Sequence, residues 1–150
     1  MNKNPLTLKP ETTVEDALAQ MKKAGVKAAA VTDTGGTVMG LFSVRNLIES
    51  ILPISMVSES GLAGVMIEAA PGLNLRLQKV MLQSVAAVMD RSFSSVYPDT
   101  AEVQAARMVA QNGEMVIVLD ENTGILKGAI TDEDLVSGLL SMGQARQKTA

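Results

Sequence analysis

Residues 128–135 read Gly-Ala-Ile-Thr-Asp-Glu-Asp-Leu, and residues 40–47 read Gly-Leu-Phe-Ser-Val-Arg-Asn-Leu. In both stretches a glycine and two apolar residues precede a hydroxyl residue. An Asp or Asn stands three positions after that hydroxyl residue and is followed by Leu. A short apolar run is typical of a buried strand, and Ser or Thr is preferred where a helix begins. Each stretch therefore predicts a strand that runs directly into a helix.

The two stretches belong to an internal repeat with an offset of 88 residues. This offset aligns Gly25 with Gly113, slips by one residue to align Asp33 with Asp120, and is restored at the two quoted stretches. Such differences in loop length are tolerated while the packed elements stay in step. The chain is accordingly predicted to have four parts: a first unit at 1–52, a linker at 53–84, a second unit at 85–142 and a polar, frayed tail at 143–150.

Each unit is predicted to have the element order β-α-β-β-α. In the first unit, Thr12 and Glu15 are predicted to form a capping box, and Gly25 ends the helix that follows. The predicted first-unit elements are strand 6–8, helix 14–24, strands 28–31 and 38–42, and helix 44–51. The predicted second-unit elements are strand 95–96, helix 101–112, strands 115–119 and 125–130, and helix 132–142. One unit alone would leave the apolar face of its sheet uncovered, so the sequence predicts two packed units of a two-layer α+β fold.

The linker carries an apolar stripe at helical spacing, formed by Leu73, Leu77, Val80, Met81, Val85 and Val88. Such a stripe is typical of an amphipathic helix. Two interpretations stay open: the helix covers the core of the pair itself, or it binds a partner protein.

Composition excludes several functional classes. The chain has no His and no Cys, which removes the commonest general base, thiolate nucleophiles and the usual transition-metal ligands. A net charge of −3 without a basic run argues against nucleic-acid binding. The first residues lack the apolar region of a signal peptide, and polar residues interrupt the longest apolar stretch, 51–66, so no membrane span is predicted. We expect a cytoplasmic protein.

The quoted stretches resemble the most recognisable motif of the CBS (cystathionine-β-synthase) domain family. The opening pattern of that family, Val-x-x-Val/Ile-Met, is similar to residues 85–89, and only Met1 represents it in the first unit. The resemblance covers residues 1–52 and 85–142. It implies a Bateman module, in which two domains are related by pseudo-twofold symmetry and a cleft binds AMP, ADP, ATP or S-adenosylmethionine. It also implies a regulatory protein without catalytic activity that forms a homodimer.

In this family the Ser or Thr contacts phosphate, the Asp holds the ribose hydroxyls and the strand backbone surrounds the adenine. Carried over to this chain, the fuller ligand site comprises Thr131, Asp134, Ser95, Val96, Met115 and Val116. The weaker second site comprises Ser43, Asn46, Thr7 and Leu8. The second site is expected to be weak or empty because Asn46 is neutral where the family has Asp.

The charges near the two motifs favour a ligand of low charge. Asp132 and Glu133 would oppose a polyphosphate, and Arg45 is the only local counter-charge, so AMP or S-adenosylmethionine is favoured over ATP. No resident cofactor and no metal site is predicted. The acidic run 132–134 lacks a nucleophile or a phosphate-binding loop, and it is typical of the first turn of a helix. This run therefore does not indicate an enzyme.

Two alternatives remain. Thr131 with Asp134, and Ser43 with Asn46, are also ordinary helix caps, and the pair would then be a structural dimerisation module with empty clefts. Under the regulatory interpretation the expected partners are an adenine nucleotide or a related small molecule, a second copy of the chain, and a regulated protein that the sequence does not identify.

Overall fold

The computed structural model describes residues 2–51, 72–100, 102–112 and 115–149. The first unit consists of β1 (Thr7–Leu8), α1 (Val14–Ala24), β2 (Ala28–Thr32), β3 (Val38–Ser43) and α2 (Val44–Ile51). Two helices follow it, α3 (Leu73–Met81) and α4 (Val85–Val88). The second unit consists of β4 (Ser95–Val96), α5 (Glu102–Asn112), β5 (Val116–Leu119), β6 (Leu126–Ile130) and α6 (Asp132–Thr149).

The two units have the same sheet topology. In each three-stranded sheet the first strand is parallel to the second, and the second is antiparallel to the third. The register shifts at the same place in both hairpins, after Val31 in β2 and after Val118 in β5. The predicted α+β fold with two β-α-β-β-α units is thereby confirmed.

The start of α1 corrects one detail of the sequence interpretation. Thr13, and not Thr12, caps the helix, because Thr13 Oγ1 accepts a hydrogen bond from the N–H of Asp16 at 3.2 Å. The carbonyl of Thr12 instead accepts from the N–H of Val85 at 2.8 Å. Gly25 ends the helix as predicted, in a left-handed conformation with φ of 71° that glycine adopts without strain.

Both hairpins turn at an aspartate. Asp33 Oδ1 accepts hydrogen bonds from two backbone N–H groups of its turn. Asp120 Oδ1 accepts from the backbone N–H and the hydroxyl of Thr123 and from the N–H of Asn122, and these bonds lower the pKa of the Asp120 carboxyl. Aspartate side chains that bond to the following backbone are a recurrent way to fix a turn.

The sheets of the two units pack against each other through a shared apolar core. Its buried members are Ala30, Leu41, Met115, Ile117 and Ala129. Among the described residues, three backbone bridges join the units, and one of them pairs Thr37 with Ile125. The other two pair Leu41 with Asp90 and Asn2 with Ala129, and every hydrogen bond in these two measures 2.9 Å. The offset of 88 residues aligns Leu41 with Ala129 and Asn2 with Asp90. These two bridges are therefore related by the pseudo-twofold symmetry of the repeat. The expectation that each unit covers the sheet of the other is confirmed.

The helix α4 belongs in space to the first unit, although the sequence boundary at residue 85 assigns it to the second. Val85 and Met89 are buried in the first-unit core beside Leu8 and Phe42. The backbone of Ser84 also bridges to Thr13 at the start of α1. The motif that opens the second repeat therefore completes the first unit.

The helix α3 covers the first unit. Leu77 and Val80 pack on Ile51 and Ile48 of α2, and Val80 also contacts the first-unit core. For residues 73–81 this confirms that the linker helix covers the core of the pair. The stripe is interrupted after Met81, where the chain turns before α4 begins. Linker residues 53–71 lie outside the described residues.

The last helix is longer than predicted. It continues to Thr149, whereas the sequence interpretation ended it at residue 142 and left a frayed tail. The predicted tail begins at Gly143, and a glycine inside a helix costs only about 1 kcal/mol relative to alanine. The residues after it include good helix formers and no proline. Among the described residues, no helix is both long and apolar enough to cross a membrane.

Candidate ligand-binding site

The first motif caps α2 through its hydroxyl residue. Ser43 is the last residue of β3, and its Oγ accepts a hydrogen bond from the N–H of Asn46 at 3.0 Å. The Asn46 side chain, unlike that of Ser43, does not use its oxygen atom in the cap. Its Oδ1 is buried and accepts no hydrogen bond from any residue that the structure describes. An unsatisfied buried acceptor costs about 1–3 kcal/mol, so this atom is a candidate to accept a hydrogen bond from a ligand.

A cavity of about 220 Å³ opens beside Asn46, between the two units. The first unit lines it with Leu41, Ser43, Arg45, Asn46 and Glu49. The opposite wall consists of Asp90, Ser92, Phe93, Ser94 and Met115. The volume lies below the roughly 300–1,000 Å³ of typical small-molecule sites, so the cavity suits a small ligand of which one end stays in solvent.

The two walls of the cavity are tied together by the backbone bridge of Leu41 and Asp90. Gly40 lies beside this bridge, and a Cβ added there would approach Met89 Sδ to 2.7 Å and the Asp90 carbonyl oxygen to 3.0 Å. The close approach of the walls therefore requires a glycine at this motif position.

The cavity lining combines apolar surface, hydroxyl groups and charge. Arg45 and Glu49 form an ion pair at its rim, with 3.3 Å between Nε and Oε1 and side chains 66% and 50% exposed. Across the cavity, Asp90 Oδ1 accepts a hydrogen bond from the N–H of Ser92 at 2.8 Å. The lining residues thus include two carboxylates and one guanidinium group.

The second motif is capped in the opposite direction. Thr131 precedes α6, and Asp134 Oδ2 accepts hydrogen bonds from the N–H of Thr131 at 2.9 Å and from its hydroxyl at 3.3 Å. The structure brings Thr131 and Asp134 together, as the sequence predicted. It places them in a capping arrangement in which the carboxylate is already bonded within the motif.

The other predicted wall residues fall into three groups. Val96 and Val116 are buried in the second-unit core, and Leu8 is buried in the first-unit core. Ser95 and Thr7 are exposed on their strands. Met115 lines the cavity that contains Ser43 and Asn46, although the sequence interpretation assigned it to the site of Thr131.

Sequence reasoning missed Glu49 and the stretch 90–94, which contribute half of the cavity lining. These residues carry no local motif, because the stretch enters the cavity only through the bridge to the other unit. The offset of 88 residues was the one signal available, since a pseudo-twofold pair brings each motif near the segment that precedes the other unit. Among the described residues, no three acidic, His or Cys side chains are grouped so that they could hold a metal ion.

The fold and the cavity define a class of protein: a paired α+β module with a cleft between its halves. The family model of the CBS domain matches residues 1–53 and 85–141. The chain belongs to the CBS-domain family, as the two repeated motifs predicted.

Solved structures share the fold of this chain. CBSX2, a CBS-pair protein from Arabidopsis thaliana, is 22% identical, with a TM-score of 0.73 over 96% of this chain and 93% of that one. CBSX2 in complex with AMP is 22% identical, with a TM-score of 0.69 over 95% and 94%. A putative acetoin utilization protein (AcuB) from Vibrio cholerae is 20% identical, with a TM-score of 0.70 over 99% and 92%. None of the curated proteins compared with the chain matches it.

Proposed function

We propose that the chain is a cytoplasmic, non-catalytic regulatory module that binds an adenosine compound in the cavity between its units. The observation that carries the proposal is Asn46, which lines the cavity and whose buried Oδ1 lacks a hydrogen-bond donor among the described residues. The AMP complex of CBSX2, a protein with the same fold, supports an adenosine compound as the class of ligand.

The lining residues suit the parts of a nucleoside. Asn46 Oδ1 accepts a hydrogen bond from a ribose hydroxyl, which removes the penalty of an unsatisfied acceptor. Phe93 and Met115 provide apolar surface for the flat base, and an aromatic ring favours stacking with it. The Ser43 hydroxyl and the Arg45 guanidinium lie on the α2 side of the cavity, where the ligand carries its polar end.

The hydrogen bonds favour the first motif over the second as the stronger ligand site, which is the reverse of the order expected from the sequence. To bind a ribose, Asp134 would have to share or release the oxygen that bonds to Thr131. Asn46 Oδ1 has no hydrogen bond to a described residue that would first have to break. We therefore propose the cavity of Ser43 and Asn46 as the dominant site, and the site of Thr131 and Asp134 as the weaker one.

Titration calorimetry with adenosine and AMP tests the proposed function. We expect Asn46→Ala to weaken binding about two- to tenfold, because a hydrogen bond between neutral groups contributes about 0.5–1.5 kcal/mol. The matched control is Asn74→Ala, which removes the same side chain from an exposed position of α3. If neither compound binds the wild-type chain, or if both variants weaken binding equally, the proposal is wrong.

A second candidate function, homodimerisation, is favoured by the exposed surface of the second unit. Four large apolar side chains of α5 and α6 face solvent in the described part of the chain: Val103 at 78%, Leu139 at 69%, Leu140 at 62% and Val136 at 57% exposure. In the first unit, α3 packs on the corresponding helices α1 and α2. An apolar surface of this kind marks an interaction site, and a second copy of the chain would bury it symmetrically.

Light scattering tests the dimer. We expect twice the chain mass of 15.8 kDa at micromolar concentration. The variant Leu139→Asp should give monomers, because it places a charge in the buried interface. A wild-type monomer would contradict the dimer proposal. If the chain forms a dimer but binds no adenosine compound, its function is purely structural dimerisation.

A further inference from the structure

We propose that Glu49, together with Asp90, makes the cavity select an adenosine compound that carries no phosphate group, an inference that rests on the proposed function. Glu49 is thereby a specificity-determining residue. The class of ligand is a neutral nucleoside or a cationic derivative such as the sulfonium S-adenosylmethionine, in preference to AMP, ADP or ATP.

The balance of charge in the cavity supports this selectivity. Within the described part of the lining, Arg45 is the one cationic residue, and Glu49 and Asp90 are the two carboxylates. Glu49 lies one helical turn after Arg45 on α2 and forms the ion pair with it at 3.3 Å. A phosphate that approaches Arg45 therefore also approaches Glu49, and the repulsion offsets the attraction.

The opposite wall of the cavity adds a second carboxylate. Asp90 is positioned by its backbone bridge to Leu41 and by the hydrogen bond from Ser92 to its side chain. The carboxylate is thus held by contacts that do not depend on the ligand. A dianionic phosphate would meet this charge in addition to that of Glu49.

The polar groups within the cavity suit a ligand rich in hydrogen-bond donors. Asn46 Oδ1 is an acceptor without a described donor, and ribose hydroxyls or an ammonium group can donate to it. Phosphate oxygens cannot, since they are acceptors at neutral pH. Adenosine and AMP share these ribose hydroxyls, so the selectivity between them rests on the carboxylates of Glu49 and Asp90.

Calorimetry on Glu49→Gln tests the inference with adenosine and AMP as probes. We expect the wild-type chain to bind adenosine more tightly than AMP. The substitution should raise the affinity for AMP about two- to fivefold at low salt, the range of exposed ion pairs, and leave the affinity for adenosine unchanged. At roughly 1 M salt, where the screening length is about 3 Å, the gain should disappear.

Two further variants keep the comparison controlled. Glu121→Gln makes the same change of charge at an exposed residue of the β5–β6 turn, at the opposite end of β5 from Met115, and should alter neither affinity. Arg45→Gln should lower the affinity for AMP and spare that for adenosine.

The outcomes separate this inference from the proposed function. If adenosine and AMP both bind but Glu49→Gln leaves their ratio unchanged, the selectivity is wrong while the proposed function stands. Tighter binding of AMP than of adenosine by the wild-type chain would also overturn the selectivity. Binding of neither compound would overturn both proposals.

Discussion

The motifs 40–47 and 128–135 occupy the same place in the fold but distribute their hydrogen bonds in opposite ways. In the first, the hydroxyl of Ser43 accepts from the N–H of Asn46, and the amide oxygen of Asn46 is buried without a hydrogen bond to any described residue. In the second, the carboxylate of Asp134 accepts from Thr131. A charged acceptor attracts the free N–H groups of a helix start more strongly than a neutral one. The motif that looks stronger in sequence therefore has its acceptor bonded within the chain.

The residues around the two motifs also differ, both in charge and in aromatic surface. The offset of 88 residues places Glu133 where the first unit has Arg45, and Pro5 where the cavity has Phe93. The second motif thus has carboxylates at three of its positions, 132–134, and an aliphatic ring in place of an aromatic surface. Among the described residues, an aromatic surface and an unsatisfied buried acceptor occur together only at the first motif.

The largest expected effect concerns the glycine that lets the two walls of the first site approach. Gly40→Ala places a Cβ 2.7 Å from Met89 Sδ and 3.0 Å from the Asp90 carbonyl oxygen. Overpacking of this kind lowers the free energy of unfolding by about 1–3 kcal/mol. Urea denaturation measures it.

The control for Gly40→Ala is Gly138→Ala, in the helix that follows the second motif, where an added Cβ meets nothing within 4 Å. That substitution should stabilise the protein, because alanine is the better helix former by about 1 kcal/mol. If the two substitutions changed the free energy of unfolding equally, the contact of Gly40 with Met89 and Asp90 would not restrict the residue at position 40.

The second prediction compares the two acceptors in the protein without ligand. Asp134→Ala removes two hydrogen bonds to Thr131 and a carboxylate from the first turn of α6, so the free energy of unfolding should fall by about 1 kcal/mol. Asn46→Ala removes an acceptor that makes no described hydrogen bond, and we expect a smaller loss. Urea denaturation of both variants measures the difference. A larger loss for Asn46→Ala would assign that side chain a structural role.

The smallest expected effect lies in the turns, where Asp120 accepts three hydrogen bonds and Asp33 two. These bonds lower the pKa of Asp120 in the folded state. The resulting stabilisation is present above the unfolded pKa of about 3.9 and is lost as the pH falls through the lower folded pKa. Asp120→Asn should therefore be slightly destabilised at pH 7 and match the wild type near pH 2, as measured by thermal melts. A difference that persists at low pH would refute the electrostatic origin.

Local signals in the sequence predicted most of the elements correctly. Gly25 ends α1, and the repeated motif fixes the junctions of β3 with α2 and of β6 with α6. Each of these features depends on residues a few positions apart, so the sequence contains the necessary information. The end of α6 was missed because the helical propensity of the following residues outweighs the single Gly143.

Features that depend on the pairing of the two units could not be predicted in this way. The packing of Val85 in the first-unit core and the position of Phe93 in the cavity follow from backbone bridges between distant segments. The sequence also did not reveal which way each motif is capped, because Ser43 and Thr131 are both competent caps. The direction of capping determines which side chain, Asn46 or Asp134, keeps an oxygen atom that is not bonded within its own motif.

The central claim, that an adenosine compound binds at the first motif, is tested most directly by a crystal structure of the chain soaked with adenosine. We predict density for the base beside Phe93 and Met115, and a ribose hydroxyl within hydrogen-bond distance of Asn46 Oδ1. The hydrogen bonds between Thr131 and Asp134 should be unchanged. Density only at Thr131 and Asp134, or a ligand at the first motif that leaves Asn46 Oδ1 without a donor, would contradict the account.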